Sequence, residues 1–166
     1  MIRVLGDDDL RDALIIINQA ATAYKGVIPD DMWREPYMGW DEIEGEAGEG
    51  VVFNGFFDED VLAGVMGVQD KGDVTLIRHA YVAPSHQRKG IGGRLLDNIS
   101  SGVAGPMLVG TWADAWWALR FYEKSGFTLL GPIVKKELLK RYWSIPDRQV
   151  ETSVVLADEV FMDSFL

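Results

Sequence analysis

Runs of mostly apolar residues in the middle of the chain, separated by short polar stretches, predict β-strands. Residues 51–57 and 61–69 form two such runs, joined by three acidic residues, and predict an antiparallel hairpin. Residues 74–82 are rich in β-branched and aromatic side chains and predict a buried strand beside it. Shorter runs at 2–5, 107–111, 127–130 and 149–156 supply the remaining predicted strands.

Apolar residues at helical spacing predict helices between these strands. Residues 10–21 follow three aspartates that can cap a helix, and Pro29 suits the first turn of a second helix running towards Met38. Further helices are predicted from Ile91, over 115–125 with Gly126 after the C-terminus, and over 135–143. Residues 41–50, acidic and glycine-bearing, indicate a frayed helix end or a loop. We expect substrate contacts within 24–50, or alternatively a plain helical pair packing its Trp and Met side chains into the core.

The turn after the central strand is the first candidate site. Two of the predicted strands, 74–82 and 107–111, are connected through a helix, which predicts a parallel pair with a right-handed crossover. Ligands of open α/β sheets bind outside the carboxyl ends of such strands. The turn between strand and helix is basic and glycine-bearing, so backbone N–H groups at the helix N-terminus predict an anion site.

Three phosphate-binding patterns compete for this turn. A P-loop is absent, and the dinucleotide fingerprint has Leu95 where its third glycine belongs. The pattern [QR]-x-x-G-x-[GA] is matched in full by Gln87, Gly90 and Gly92. An ordinary strand-turn-helix with no ligand is the alternative.

A second element follows 30 residues after Gly92. Ala118, Tyr122 and Gly126-Phe127 match A-x-x-x-Y-x-x-x-G-F. The two elements, in this order, resemble the acetyl-CoA-binding core of the GNAT superfamily of N-acetyltransferases. The resemblance covers about residues 50–131, and Ala115 departs from it where many members carry asparagine.

The resemblance implies a single α/β domain over residues 1–166, with a C-terminal extension from about 132. Its fold is a mixed, largely antiparallel sheet of six to seven strands, with a central parallel pair and helices on both faces. It further implies transfer of the acetyl group of acetyl-CoA, as co-substrate, to a primary amine by direct attack. The acceptor is a small-molecule or a protein amine. The residues implied to bind acetyl-CoA are Ala80, Tyr81, Val82, Gln87, Arg88, Lys89, Gly90, Ile91, Gly92, Gly93 and Tyr122.

Two side chains are candidates for proton transfer. A phenol with a pKa of about 10 stays protonated at neutral pH, so Tyr122 is the candidate general acid for the departing thiolate. His79 is the candidate base or water-holding group, and a structural strand histidine is its alternative. Strict alternation predicts Ile77, His79 and Tyr81 on one face of the strand and Arg78, with Leu76, Ala80 and Val82, on the other. We expect Arg78 and His86 to be structural or surface residues.

Composition narrows the class of partner. The formal net charge is −10, from 16 basic and 26 acidic residues, which argues against nucleic acid and anionic membranes. Without cysteine and with only two histidines, disulfides, thiolate metal sites and a histidine-built metal site are not expected. No signal-peptide pattern or membrane-length apolar run is found, so we expect a cytoplasmic protein. The acidic side chains of Asp30, Asp31, Glu35 and Glu42 either attract a cationic amine or are simply solvated.

Two other functions stay open at this point. One is a non-catalytic acyl-CoA-binding or sensing domain on the same fold, because Ala115 leaves a cofactor contact unassigned. The other is an assembly protein without any cofactor. The apolar C-terminal tail, Val160, Phe161, Met162, Phe165 and Leu166, either covers the core or seals a homodimer.

Overall fold

One seven-stranded sheet runs through the molecule in the order β1-β2-β3-β4-β5-β7-β6. The computed structural model describes residues 1–165, and for residue 165 the backbone only. Only the β4–β5 pair is parallel among the strand pairs of the described residues. The strands are β1 Ile2–Val4, β2 Val51–Asp58, β3 Val61–Asp70, β4 Thr75–Val82, β5 Met107–Trp112, β6 Thr128–Leu129 and β7 Ser153–Ala157.

Helices cover both faces of the sheet. In chain order they are α1 Leu10–Ala21, α2 Trp40–Gly48, α3 Ile91–Ser101, α4 Trp116–Lys124, α5 Pro132–Tyr142, α6 Asp147–Thr152 and α7 Glu159–Phe165. Buried residues of α3 and α4 pack with Ile77 and Val109 on one face. On the other face α1 and α2 pack over β2 and β3, and α5 and α7 pack over β5 and β7. The mixed α/β architecture expected from the sequence is therefore confirmed.

The predicted crossover is present, and it sets the position of the site. Helix α3 buries Ile91, Leu95, Leu96 and Ile99, the residues whose spacing predicted it, against the sheet. It connects β4 to β5, which pair in parallel through Thr75↔Met107, Leu76↔Leu108 and Ile77↔Val109. The N-terminus of α3 thus lies at the carboxyl end of this strand pair.

The prediction of a helix from Pro29 to Met38 is wrong. Only Asp30–Met32 forms a short 3-10 turn. Pro36 has no N–H to donate and disfavours helical backbone in the residue before it, so the helix cannot continue. The chain instead becomes helical at Trp40–Gly48, within the stretch expected to be a frayed end or a loop. There Asp41 and Glu42 in the first turn suit the helix dipole, and fully buried Ile43 anchors the helix.

The C-terminal part also differs from the prediction, most clearly at the last strand. The last strand begins at Ser153, because residues 149–152 belong to α6. This strand inserts between β5 and β6, so the sheet includes a strand from beyond residue 131. Phe161 of the apolar tail is buried against the α5 side of the core, which confirms core covering at that residue. The predictions for the Phe165 side chain and for Leu166 lie outside the described residues.

Within the described residues, none of the helices is both long and apolar enough to cross a membrane.

Candidate active site

Strands β4 and β5 separate halfway along their length. Their ladder ends at Ile77↔Val109, although β4 continues to Val82 and β5 to Trp112. The separation opens a cleft of about 770 Å³ lined by residues from both strands, from the glycine turn, and from α1, α4 and α5. This is the crevice that the sequence predicted for a parallel strand pair.

A β-bulge in β4 determines which side chains enter the cleft. Gly67 pairs with Arg78 and Val65 with Tyr81, so Met66 lies opposite two residues of β4, His79 and Ala80. The backbone of His79 is left-handed there, with φ of +55°. Strict alternation is therefore wrong, because the extra residue inverts the faces.

Ile77 now shares a face with Ala80 and Val82, whereas Tyr81 packs on the α1 and α2 side. His79 stacks on Phe53 of that second core, 6.2 Å between ring centroids. The sequence contains no signal for the bulge, since no glycine marks it.

Because of the bulge, backbone N–H groups of β4 point into the gap between β4 and β5. The N–H of Thr75 donates to Pro106 on the β5 side, whereas the N–H of Ala83 donates to Ala63 of the β3 side. Both residues are odd-numbered, so the direction of the N–H groups switches at the bulge. The N–H groups of Ala80 and Val82 consequently point to the side that β5 has left.

The glycine turn presents further free donors. Gly90 precedes α3 with φ of +76°, a conformation that favours glycine. The first backbone bond of the helix runs from the Arg94 N–H to the Gly90 carbonyl. The N–H groups of residues 91–93 have no backbone acceptor in the described structure, and they lie at the positive end of the helix dipole.

The side chains of the turn that were predicted to bind acetyl-CoA do not all line the cleft. Arg88 lines the cleft and is itself left-handed, with φ of +64°. The Gln87 side chain donates to the Val82 carbonyl at 3.3 Å. Lys89 is exposed and lies outside the cleft lining. The remaining predicted cofactor-binding residues all line the cleft: Ala80, Tyr81, Val82, Gly90, Ile91, Gly92, Gly93 and Tyr122.

Tyr122 reaches the cleft from α4. Its ring is 5% exposed and packs edge-on between Phe121 and Phe127, at 5.0 and 5.7 Å between centroids. Burial, and to a lesser degree the nearby Tyr24 phenol, raises the pKa of Tyr122 well above its usual range. The phenol is therefore neutral at physiological pH, and no hydrogen bond within the described structure engages its hydroxyl.

His79 contacts a carboxylate that the sequence analysis did not single out. Its Nε2 meets Oε2 of Glu46 from α2, and Arg78 lies 3.3 Å from the other carboxylate oxygen. Burial alone would raise the pKa of Glu46, but hydrogen bonding to His79 and electrostatic attraction to His79 and Arg78 hold that pKa below its ordinary value. Glu46 is more than 30 residues from His79 in sequence and lay in a stretch not predicted to be helical.

Aromatic rings form the other wall of the cleft. Tyr37 meets Tyr81 at 6.3 Å, Tyr81 meets Tyr24 at 6.2 Å, and Tyr24 meets Trp117 at 5.1 Å, each pair edge-to-face. We call these four residues the aromatic wall. Two of them fall within 24–50, the region in which substrate contacts were expected, and the signal was its density of Tyr and Trp.

The acidic side chains considered as attractors for a cationic amine lie on the surface instead. Glu35 pairs with Lys25 at 3.1 Å, Glu42 with Arg34 at 2.8 Å, and Asp31 with Arg148 at 3.4 Å; Asp30 is also exposed. No Asp or Glu is among the described residues that line the cleft. The net negative charge of the chain is thus not concentrated in this cleft.

Ala115, the departure from the expected pattern, is fully buried. It packs with Ile28, Trp112 and Ala118 at the start of α4. A larger polar side chain would enter an apolar cluster there, so the position serves packing in this chain.

The site fits acetyl-CoA on two independent observations. The free N–H groups at the start of α3, with Arg88 beside them, suit a pyrophosphate. The unpaired edge of β4 offers N–H groups to a chain of amides, such as the pantetheine arm, as another strand would. No cluster able to hold a metal ion is found among the described residues.

Comparisons with known proteins support the same assignment. Residues 50–129 match the family model described as an acetyltransferase (GNAT) domain. No curated protein sequence matches the chain significantly.

Solved structures share its fold. The PaiA N-acetyltransferase of Thermoplasma acidophilum, in complex with coenzyme A, has a TM-score of 0.68 at 18% identity, covering 95% of this chain and 97% of that one. The ribosomal-protein-S18-alanine N-acetyltransferase of Escherichia coli has a TM-score of 0.65 at 19% identity, covering 96% and 93%. A GNAT acetyltransferase of Elizabethkingia anophelis with acetyl-CoA bound has a TM-score of 0.63 at 17% identity, covering 96% and 97%. Residues 50–129 of this chain are therefore an acetyltransferase (GNAT) domain, within a chain that has the GNAT fold.

Proposed function

We propose that the protein is an N-acetyltransferase that moves the acetyl group of acetyl-CoA to a primary amine by direct attack. The observation that carries the proposal is the opening between β4 and β5. It places unpaired N–H groups of β4, the N-terminus of α3 and the Tyr122 ring around one cleft.

Acetyl-CoA, when bound, supplies the activated acetyl group as a thioester. The N–H groups of residues 91–93 bind its pyrophosphate, and the open edge of β4 holds its amide arm. The N–H of Val82, or of neighbouring Ala80, donates to the thioester oxygen, on which negative charge develops as the amine attacks. Holding both reactants in this geometry supplies several kcal/mol of the barrier.

Proton transfers at the amine nitrogen and at the thiolate complete the reaction. The acceptor ammonium must lose a proton before its nitrogen attacks, and His79, held against Glu46, accepts that proton directly or through water. A nitrogen–carbon bond then forms and the carbon–sulfur bond breaks. Tyr122 donates a hydrogen bond and then its proton to the departing thiolate, which leaves as the thiol of CoA. The attacking nitrogen gives up its second proton as the amide forms, and that proton restores the Tyr122 phenol directly or through water, while the proton taken by His79 passes to solvent.

The test is release of the CoA thiol from acetyl-CoA in the presence of a panel of amines. The proposal predicts amine-dependent release, with one acetylated amine formed per thiol. If acetyl-CoA binds and no amine in the panel accelerates its consumption, acetyl transfer is contradicted and a non-catalytic acyl-CoA-binding function replaces it.

A further inference from the structure

Aromatic side chains form one wall of the cleft beyond the reacting centre. The four rings of the aromatic wall form one continuous series of edge-to-face contacts, and all four line the cleft. Trp33 stacks behind Tyr37 at 6.0 Å and an interplanar angle of 27°, which supports the far end of the series. A continuous series of supported rings is a rigid apolar surface, suited to a planar ligand.

The wall approaches the reacting centre at one end. Tyr81 belongs to β4, between Ala80 and Val82, whose N–H groups point into the gap. Trp117 lies on α4, the helix that carries Tyr122. A molecule lying against the wall therefore has its end beside the acetyl position.

Two phenols of the wall, those of Tyr24 and Tyr81, have raised pKa values. Burial raises the pKa of Tyr24 to about 12, with Tyr37 adding to the effect and Thr111 and Trp117 opposing it. Burial also raises the pKa of Tyr81 well above its usual range. Tyr24 and Tyr81 are consequently neutral at any pH at which an amine acetyltransferase is assayed.

The basic side chains near the wall already have partners. Arg78 and His79 line the cleft on this side, and both contact the Glu46 carboxylate. Arg78 also donates to Gln69 at 3.0 Å. Because no Asp or Glu is among the described lining residues, a second ammonium group on the substrate would find no carboxylate partner in the cleft. Among the described residues at the wall, a substrate carboxylate also finds no cation without a partner.

We propose that the acceptor is an arylalkyl monoamine, a primary amine joined by a short chain to an aromatic ring and carrying no second charge. The ring lies against the aromatic wall and the amine projects to the gap between β4 and β5. The incoming ammonium is attracted to the faces of the rings before it loses its proton. This inference rests on the proposed acetyl transfer and narrows its acceptor.

The experiment compares four amines at saturating acetyl-CoA. They are 2-phenylethylamine, its saturated analogue 2-cyclohexylethylamine, spermidine as a polycation, and L-phenylalanine as the carboxylated analogue. We expect the highest kcat/KM for 2-phenylethylamine, about 3- to 10-fold above the cyclohexyl analogue, as ring–ring contacts of about 0.5–1.5 kcal/mol allow. Spermidine and L-phenylalanine should be at least about 100-fold poorer, because each brings an uncompensated charge into the cleft.

A pair of variants tests whether the wall causes the preference. Tyr37→Leu removes the ring at the end of the series opposite Trp117, whereas Tyr37→Phe keeps the ring. We expect the phenyl-over-cyclohexyl ratio to fall towards 1 in the leucine variant and to persist in the phenylalanine variant. Thermal unfolding of both variants identifies a folding defect independently.

The outcomes separate this inference from the function on which it rests. Faster acetylation of spermidine, L-phenylalanine or a lysine-containing peptide overturns the acceptor class while acetyl transfer stands. An unchanged phenyl preference in Tyr37→Leu overturns the role of the wall. Failure of acetyl-CoA to bind at all overturns the proposed function, and the acceptor inference with it.

Discussion

Replacement of Tyr122 by Phe isolates one hydroxyl group in the middle of the proposed site. The ring should stay packed between Phe121 and Phe127, because those contacts involve only its edges and faces. The hydroxyl has no hydrogen-bond partner in the described structure, so its removal leaves no protein group unsatisfied. We therefore expect the free energy of unfolding to change by less than about 0.5 kcal/mol.

The effect on catalysis should be much larger. A positioned proton donor contributes about 10²- to 10⁴-fold to a rate, and a hydrogen bond to a charged group alone about 1.5–3 kcal/mol. We expect kcat to fall at least about 100-fold, with the KM for acetyl-CoA changed less than about threefold, since the hydroxyl acts on the leaving group and not on the pyrophosphate.

The assay is initial-rate release of CoA thiol with the best amine of the panel, beside a thermal unfolding curve. Tyr142→Phe is the matched control: its hydroxyl bonds Asp73 at 2.6 Å, and Tyr142 does not line the cleft. It should leave kcat unchanged. A Tyr122→Phe enzyme with kcat within twofold of wild type would remove Tyr122 from the mechanism.

Three further changes test other parts of the account. Gly92→Glu should abolish acetyl-CoA binding in a titration, because a carboxylate enters the pyrophosphate position. Gly105→Glu, on an exposed loop, should not abolish binding. Wild-type affinity in Gly92→Glu would contradict the assignment of the turn as the pyrophosphate site. The native pKa of Glu46 lies below 4.5, so its stabilising contribution is full above that pH and is lost as pH falls through the native pKa. Glu46→Gln should therefore flatten the fall of Tm between pH 6 and 3, and an unchanged slope would refute the pairing. Ala115→Asn should lower the free energy of unfolding by about 1–3 kcal/mol by burying an unpaired amide, and a gain in cofactor affinity without that loss would contradict the packing role.

The sequence correctly predicted the features that depend on residues close together along the chain. The helical stripe from Ile91 to Ile99 and the turn that precedes it predicted both the crossover and the position of the cleft. The parallel pair of β4 and β5, expected from the helix that connects them, is confirmed, and the cleft opens where their ladder ends. The helix and the turn depend on residues that are close in sequence, so the spacing of apolar residues and glycines is enough to predict them.

Features that depend on distant partners were missed. The bulge at His79 arises from the pairing of β4 with β3, and no residue within β4 indicates that a bulge will form. The acidic segment around Glu46 becomes helical because Ile43 finds a buried place in the core, which outweighs the glycines within it. The contacts of Glu46 with His79, and of Tyr24 with Trp117, join residues far apart along the chain, so only the fold reveals them.

Calorimetric titration of acetyl-CoA into the wild-type protein, with CoA and NADH as comparison ligands, is the most direct test of the central claim that the cleft is an acetyl-CoA site. We predict micromolar binding of acetyl-CoA and of CoA at one site per chain, and none of NADH. Absence of acetyl-CoA binding to a folded protein, or equal binding of NADH, would contradict the account.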